Sequence, residues 1–140
     1  MNCPLCGTPA GTVLWQDGLC RVVLADESDY PGFLRVILNA HVKEMTDLPI
    51  AERAALMRVV WAAEAALREA MAPDKVNLAS LGNVAPHLHW HVIPRFADDP
   101  HFPNAVWGEK KRSAPHAAPA DLATRLAEAF RRLVRAPGTE

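Results

Sequence analysis

A row of three histidines is the part of this sequence best suited to chemistry. His87, His89 and His91 alternate with Leu88 and Trp90. In a β-strand, successive side chains point to opposite faces, so this spacing predicts three imidazoles on one face and apolar anchors on the other. An imidazole ionises near neutral pH and acts as a base, a nucleophile or a metal ligand. The row therefore predicts a functional site, because three buried rings used only for packing would each need a partner for a polar nitrogen.

Two kinds of chemistry fit this row. In the first, the middle ring attacks phosphorus while its neighbours hold its tautomer and donate to substrate oxygens, as phosphoryl and nucleotidyl transfer require. In the second, the three rings bind a catalytic zinc ion. Many metal-hydrolase signatures contain an acidic residue, but the segment between His87 and His91 has none. The spacing alone leaves both mechanisms open.

A second group of reactive side chains opens the chain, where Cys3-Pro-Leu-Cys6 is followed by Gly7. This is half of a four-ligand zinc set, which His41 and the histidine row could complete. A redox-active pair and two unrelated surface thiols are the alternatives. His41 itself is either an exposed loop histidine or part of a site.

Composition limits the class of protein. The chain has 140 residues, of which 50% are hydrophobic and 22% are charged, which predicts a single domain over residues 1–140. A formal net charge of −1 offers no bulk attraction to nucleic acid or to an anionic membrane. No segment is typical of a transmembrane helix or a signal peptide, so we expect a cytoplasmic protein without nucleic-acid or membrane partners. Three cysteines, an odd number, argue against a disulfide framework.

Secondary-structure signals supply the elements that would position these residues. Asp17-Gly18 between two apolar runs indicates a hairpin, and the histidine row should lie antiparallel to the strand before it. That pairing brings Asn77 and Asn83 near the row. The predicted strands are 12–16, 19–25, 33–38, 76–81 and 87–95.

Two helices complete the predicted architecture. Apolar residues recur every three or four positions over 50–71, with Thr46 or Asp47 as the expected cap. A C-terminal helix is predicted over about 121–134. Residues 96–119 are rich in proline and predict a long loop of the kind that is often functional.

The histidine row also carries a resemblance to a known family. His87-Leu-His89-Trp-His91-Val-Ile matches the pattern His-φ-His-φ-His-φ-φ, where φ is apolar, at every position. The chain resembles the histidine triad (HIT) superfamily of nucleotide hydrolases and transferases over about residues 3–107. The segment Leu34–His41, followed by Asp47-Leu-Pro, is similar to the strand and histidine that precede the family's helix. The opening cysteine pair resembles that of zinc-bearing bacterial members and of galactose-1-phosphate uridylyltransferase.

The resemblance implies an α+β, HIT-like fold. It comprises an antiparallel sheet of about five strands, packed by the long helix, in a homodimer. It also implies a structural zinc ion in a closed tetrahedral set. In some relatives a C-terminal tryptophan reaches the partner's active site, and Trp107 is the candidate here. The implied zinc ligands are Cys3, Cys6, His41 and His87.

The resemblance implies a mechanism as well. His89 would attack the α-phosphate and form a nucleotidyl-histidine, which water then cleaves, with His87 and His91 beside it. His91 would contact the phosphate and the leaving group. Uridylyltransferase relatives carry glutamine in its place, so His91 places the chain with the hydrolases. Asn77 and Asn83 would bind the substrate.

The expected substrates are purine nucleoside phosphoramidates or dinucleoside polyphosphates. Many hydrolase members have Gly-Gln-Ser/Thr before the triad, whereas this chain has Gly82-Asn83-Val84, so the usual hydroxyl to phosphate is missing. A zinc-dependent hydrolase that uses the triad as metal ligands and a low-turnover nucleotide-binding protein are the alternatives.

Overall fold

A computed structural model describes residues 3–135 of the chain. It contains one five-stranded sheet and two α-helices, which confirms the predicted α+β class. A single 3-10 turn, Met45–Asp47, precedes the long helix. The strands are β1 (Thr12–Gln16), β2 (Cys20–Leu24), β3 (Leu34–Leu38), β4 (Lys75–Ala79) and β5 (His89–Arg95), and the helices are α1 (Ile50–Met71) and α2 (Leu122–Leu133).

The sheet order is β1-β2-β3-β5-β4, and every neighbouring pair is antiparallel. The last strand along the chain, β5, lies between β3 and β4, so an interior strand carries His89 and His91. Its register sets Arg35 opposite His91 and Ile37 opposite His89. Because directly opposed residues share a face, these four side chains belong to one surface of the sheet.

The other surface of the sheet forms the core with both helices. The residues of β5 that alternate with the histidines, Trp90 and Val92, pack there together with Leu56 and Val60 of α1 and Phe130 of α2. Trp15 meets the Phe130 ring edge-on at 5.2 Å between centroids. The strand is therefore anchored by its apolar positions, as its alternating sequence predicts.

Apart from shifts of one residue at strand ends, three details differ from the sequence-based expectation. The strand predicted over residues 76–81 ends at Ala79. The triad strand begins at His89 and not at His87, because the backbone amide of His87 donates to the carbonyl of Ala85 in the preceding turn. Neither Thr46 nor Asp47 caps α1. Pro49 occupies the cap position without a side-chain hydrogen bond, and the earlier polar residues form the 3-10 turn instead. Within residues 3–135, none of the helices combines the length and apolar character needed to cross a bilayer.

Candidate active site

His89 is held in one tautomer by the main chain. Its Nδ1 lies 2.6 Å from the carbonyl oxygen of His87. A carbonyl only accepts hydrogen bonds, so Nδ1 carries the proton and donates it. In the neutral ring the Nε2 atom then keeps its lone pair. The ring is buried, with 8% of its surface exposed, and it borders the cavity described below. This arrangement makes His89 Nε2 an available nucleophile.

His91 stands next to His89 in an apolar, aromatic setting. The two rings meet edge-on at 4.9 Å, and the rings of Phe33 and Trp107 approach His91 at 5.6 and 5.2 Å. Burial lowers the pKa of His91 to about 4, with smaller contributions from His89 and from the charge of Arg35. His91 is therefore neutral at pH 7, and its buried Nδ1 has no hydrogen-bond partner within residues 3–135.

A cavity of about 390 Å³ opens beside these two rings. It is lined by the loop Leu81–Ala85, by His89 and His91, and by Trp107. Val84 is 97% exposed at its rim, and Trp107 is 54% exposed. The volume lies in the range of sites for small molecules and cofactors. A second cavity of about 310 Å³, which includes Lys43 and Ser80, also reaches His89.

His87 faces a different group of residues. Its Nε2 lies 2.6 Å from the carbonyl oxygen of Leu38, so Nε2 donates and Nδ1 has the free lone pair. That Nδ1 lies 3.4 Å from Cys3 Sγ, 3.3 Å from Cys6 Sγ and 3.2 Å from His41 Nδ1. Burial lowers the pKa of His87, which favours the neutral ring that a metal ligand must be.

These four residues fit a tetrahedral metal site. Their ligand atoms, Sγ of the cysteines and a ring nitrogen of the histidines, lie within 4.8 Å of one another. A tetrahedral zinc ion with bonds of roughly 2.0–2.3 Å separates its ligand atoms by about 3.3–3.8 Å, close to the contacts of His87. The bond from His87 to Leu38 is the outer-shell support that metal-bound histidines have. The cluster can therefore hold a metal ion, with Cys3, Cys6, His41 and His87 as ligands.

The predicted asparagines occupy two different places. Asn83 lines the cavity beside His89 and His91. Asn77 lies on β4, opposite Ile93 of β5, so its side chain is on the triad face. Its Oδ1 accepts a hydrogen bond of 2.8 Å from Arg95. Asn77 does not line the cavity.

A buried ion pair near the site was not found by sequence reasoning. Arg95 Nε lies 2.8 Å from Asp99 Oδ2, and the two residues are 3% and 1% exposed. The carboxylate also accepts bonds from Tyr30 Oη and from the backbone amides of Phe96, His101 and Phe102. Burial by itself would raise the pKa of Asp99, but Arg95 and these amides hold it well below its usual range. The ion pair fixes the start of the long loop that carries Trp107.

The two histidines of that loop, His101 and His116, each have a specific partner. His101 Nδ1 lies 2.7 Å from Tyr30 Oη, and His116 stacks on Phe96 while its Nδ1 lies 2.7 Å from Asp98. Within its own chain the Trp107 ring meets the His91 ring edge-on at 5.2 Å between centroids, and the reach of Trp107 to a partner's site stays a prediction.

The sequence and structure were compared with known proteins. The family model described as the HIT domain matches residues 9–98. A protein of Mycobacterium tuberculosis named AP-4-A phosphorylase is 31% identical over 106 residues, which cover 71% of this chain and 54% of that protein. The chain thus spans about half the length of the curated relatives it matches.

Solved structures share the fold. A histidine triad protein from Bradyrhizobium japonicum is 30% identical, with a TM-score of 0.72 over 89% of this chain and 91% of that one. A Zn-bound histidine triad family protein from Mycobacterium smegmatis is 22% identical, with a TM-score of 0.66 over 94% of each chain. These likenesses agree with the predicted antiparallel sheet and two helices.

Proposed function

The chain belongs to the HIT domain family, and from this premise we propose that it hydrolyses purine nucleotide substrates at the α-phosphate. The substrate classes are nucleoside phosphoramidates and dinucleoside polyphosphates. The observation that carries the proposal is the tautomer of His89. Its Nδ1–H donates to the His87 carbonyl and its Nε2 keeps a lone pair next to a cavity of ligand size.

The reaction proceeds in two displacements. The lone pair of His89 Nε2 forms a bond to the α-phosphorus, and the bond from phosphorus to the leaving group breaks. The resulting cationic ring is stabilised by the hydrogen bond from Nδ1 to the His87 carbonyl. Water then attacks the same phosphorus, the bond from phosphorus to Nε2 breaks and returns its electron pair to the ring, and AMP is released with one proton of the water lost to solvent. His91, 4.9 Å away between ring centroids, contacts the phosphate and the leaving group.

The metal in this proposal is structural zinc. Cys3, Cys6, His41 and His87 would hold it, and four protein ligands would complete a tetrahedral set of the structural kind. Catalytic zinc on the three triad histidines is disfavoured, because His87 uses one ring nitrogen on Leu38 and directs the other at the cysteines. Among the described residues, this cluster is the one group of three or more cysteine, histidine, aspartate or glutamate side chains whose ligand atoms lie close enough together to hold a metal ion.

Phosphorolysis is the second candidate, and the relative named AP-4-A phosphorylase supports it. In that reaction inorganic phosphate replaces water as the acceptor, so the adenylyl group leaves His89 as ADP and not as AMP. Incubation of the protein with diadenosine tetraphosphate, with and without phosphate, separates the two. AMP as the product under both conditions supports the hydrolase, and phosphate-dependent ADP identifies the phosphorylase.

The test of the nucleophile uses His89→Ala and, as a control, His116→Ala in the long loop. Rapid base quench followed by mass spectrometry should find an acid-labile AMP adduct on the peptide that contains His89. We expect His89→Ala to lose several orders of magnitude in turnover and His116→Ala to keep most of it. Full activity of His89→Ala, or an adduct on another peptide, would refute this mechanism.

A further inference from the structure

Arg35 is a cation in an unusual position. It is the second residue of β3, an interior strand whose other four residues are all buried. The register of the sheet places it directly opposite His91, so both side chains leave the same face. A charged residue in an interior strand is costly to desolvate unless it has a partner or a purpose. The Arg35 side chain keeps 24% of its surface exposed, so it remains open to solvent and to a ligand.

The partners of Arg35 are weak. Its Nη2 lies 3.4 Å from Oε1 of Glu27, whose side chain is 46% exposed. An exposed pair at that distance contributes little to stability. Its guanidinium carbon lies 5.2 Å from the centroid of the Phe33 ring, and that ring touches His91. The guanidinium is thus close to the triad but is not held there by a strong anion.

Other arginines on this face of the sheet are already committed. Arg95 is buried and donates to Asp99, to Asn77 and to the carbonyl of Asn104. Arg21 donates to the carbonyls of Leu5 and Thr8 in the segment that carries the cysteines. Within the described part of the chain, the residues that line the cavity beside His89 and His91 include neither lysine nor arginine. This cavity therefore supplies no cation of its own to a phosphate at His89. Lys43 lines the second cavity, on the side of His87, whereas Arg35 is the cation that faces His91 from the neighbouring strand.

We propose that Arg35 binds the substrate phosphate and exchanges its contact with Glu27 for a paired hydrogen bond to two phosphate oxygens. The planar fork of a guanidinium matches that geometry, whereas a lysine provides only a point charge. The inference rests on the proposed function for the identity of the ligand, a nucleoside monophosphate group. In this inference Glu27 competes with the phosphate and contacts the guanidinium of Arg35 when no phosphate is bound.

The experiment measures the affinity of AMP, pyrophosphate and adenosine for purified full-length protein by calorimetry. The variants are Arg35→Gln, Arg35→Lys and Glu27→Gln, with Arg58→Gln on the exposed face of α1 as control. We expect Arg35→Gln to weaken AMP roughly ten- to a hundredfold, the effect of losing a hydrogen bond to a charged group. Adenosine, which has no phosphate, should bind unchanged. Arg35→Lys should recover part of the loss, and Glu27→Gln should tighten AMP and pyrophosphate a few-fold.

The opposite responses to the Glu27 and Arg35 variants separate binding from a structural role. If the pair only stabilises the sheet, both variants lower the melting temperature and affect AMP and adenosine alike, which overturns the inference. An unchanged AMP affinity in Arg35→Gln, or a wild-type protein that binds neither AMP nor pyrophosphate, also overturns it. Failure of the proposed function looks different: no adenylylated compound is cleaved, while AMP binding still depends on Arg35.

Discussion

The buried carboxylate of Asp99 should contribute more to stability than the other ionisable side chains of the long loop. We predict that Asp99→Asn destabilises the fold by about 3 kcal/mol, because it leaves the charge of Arg95 buried and uncompensated. The amide has almost the volume of the carboxylate, so the loss reports charge and hydrogen bonding. An asparagine side chain ends in one acceptor, the oxygen, and one donor, the NH2 group. At position 99 the NH2 group would face the donors of Arg95 or the backbone amides.

The assay is urea and thermal unfolding of the wild type, of Asp99→Asn and of Asp98→Asn. In a domain of this size, a loss of about 3 kcal/mol lowers the melting temperature by roughly 10 °C. Asp98 is the matched control, since its side chain is 68% exposed and its partner is His116. It should change stability by less than about 1 kcal/mol. Equal effects of the two substitutions would refute the reasoning.

A double variant tests the origin of the loss. Replacing both partners, as in Arg95→Gln with Asp99→Asn, removes the charges together and keeps an acceptor oxygen at position 99, so it should cost less than Asp99→Asn alone if an unpaired charge is responsible. The pH dependence has a defined sign. The pKa of Asp99 is held below its usual range, so its contribution is complete above pH 3.8 and is lost as the pH falls further.

Three further predictions concern the pH response, the metal and the assembly. The pKa of His91 is lowered from 6.5 to about 4, so the unfolded chain is protonated at a higher pH than the folded protein, and stability falls as the pH drops from about 6.5 to 4. His91→Gln should flatten this part of a pH–stability curve by about 2 kcal/mol. An unaltered curve would contradict the assignment. Elemental analysis should find about one zinc per chain in the wild type and much less in Cys6→Ser, whose melting temperature should fall; a metal-free wild type would exclude the site. We also propose a homodimer, so light scattering should give about twice the 15.3 kDa chain mass, and a monomer at micromolar concentration would contradict it.

Local patterns predicted most of the elements. The bounds of β1 and α1 are those read from the sequence, because the hairpin signal and the apolar stripe over residues 50–71 are encoded by neighbours along the chain. The cysteine pair, His41 and His87 were grouped through the family resemblance, and the structure places them together. The direction of the His87 ring depends on the carbonyl of Leu38, 49 residues away, which no local pattern specifies.

Long-range register explains what the sequence did not reveal. Arg35 reads as an interruption of an apolar strand, and only the pairing of β3 with β5 shows that it faces His91. Asn77 is polar and near the triad in sequence order, yet its side-chain oxygen is taken by Arg95 from the neighbouring strand. The i,i+4 spacing of Arg95 and Asp99 was a signal, but their burial depends on the loop that covers them.

The side chain and the main chain of His87 belong to two different sites. The imidazole belongs to the cysteine cluster, whereas the carbonyl that fixes the tautomer of His89 belongs to the main chain. Every amino acid provides that carbonyl, so mutation at this codon can remove the metal ligand without removing the acceptor. During descent, a lineage could therefore lose or regain the metal while the nucleophile keeps its proton on Nδ1. Under the proposed function, selection on the metal site and selection on catalysis can act separately at this one position.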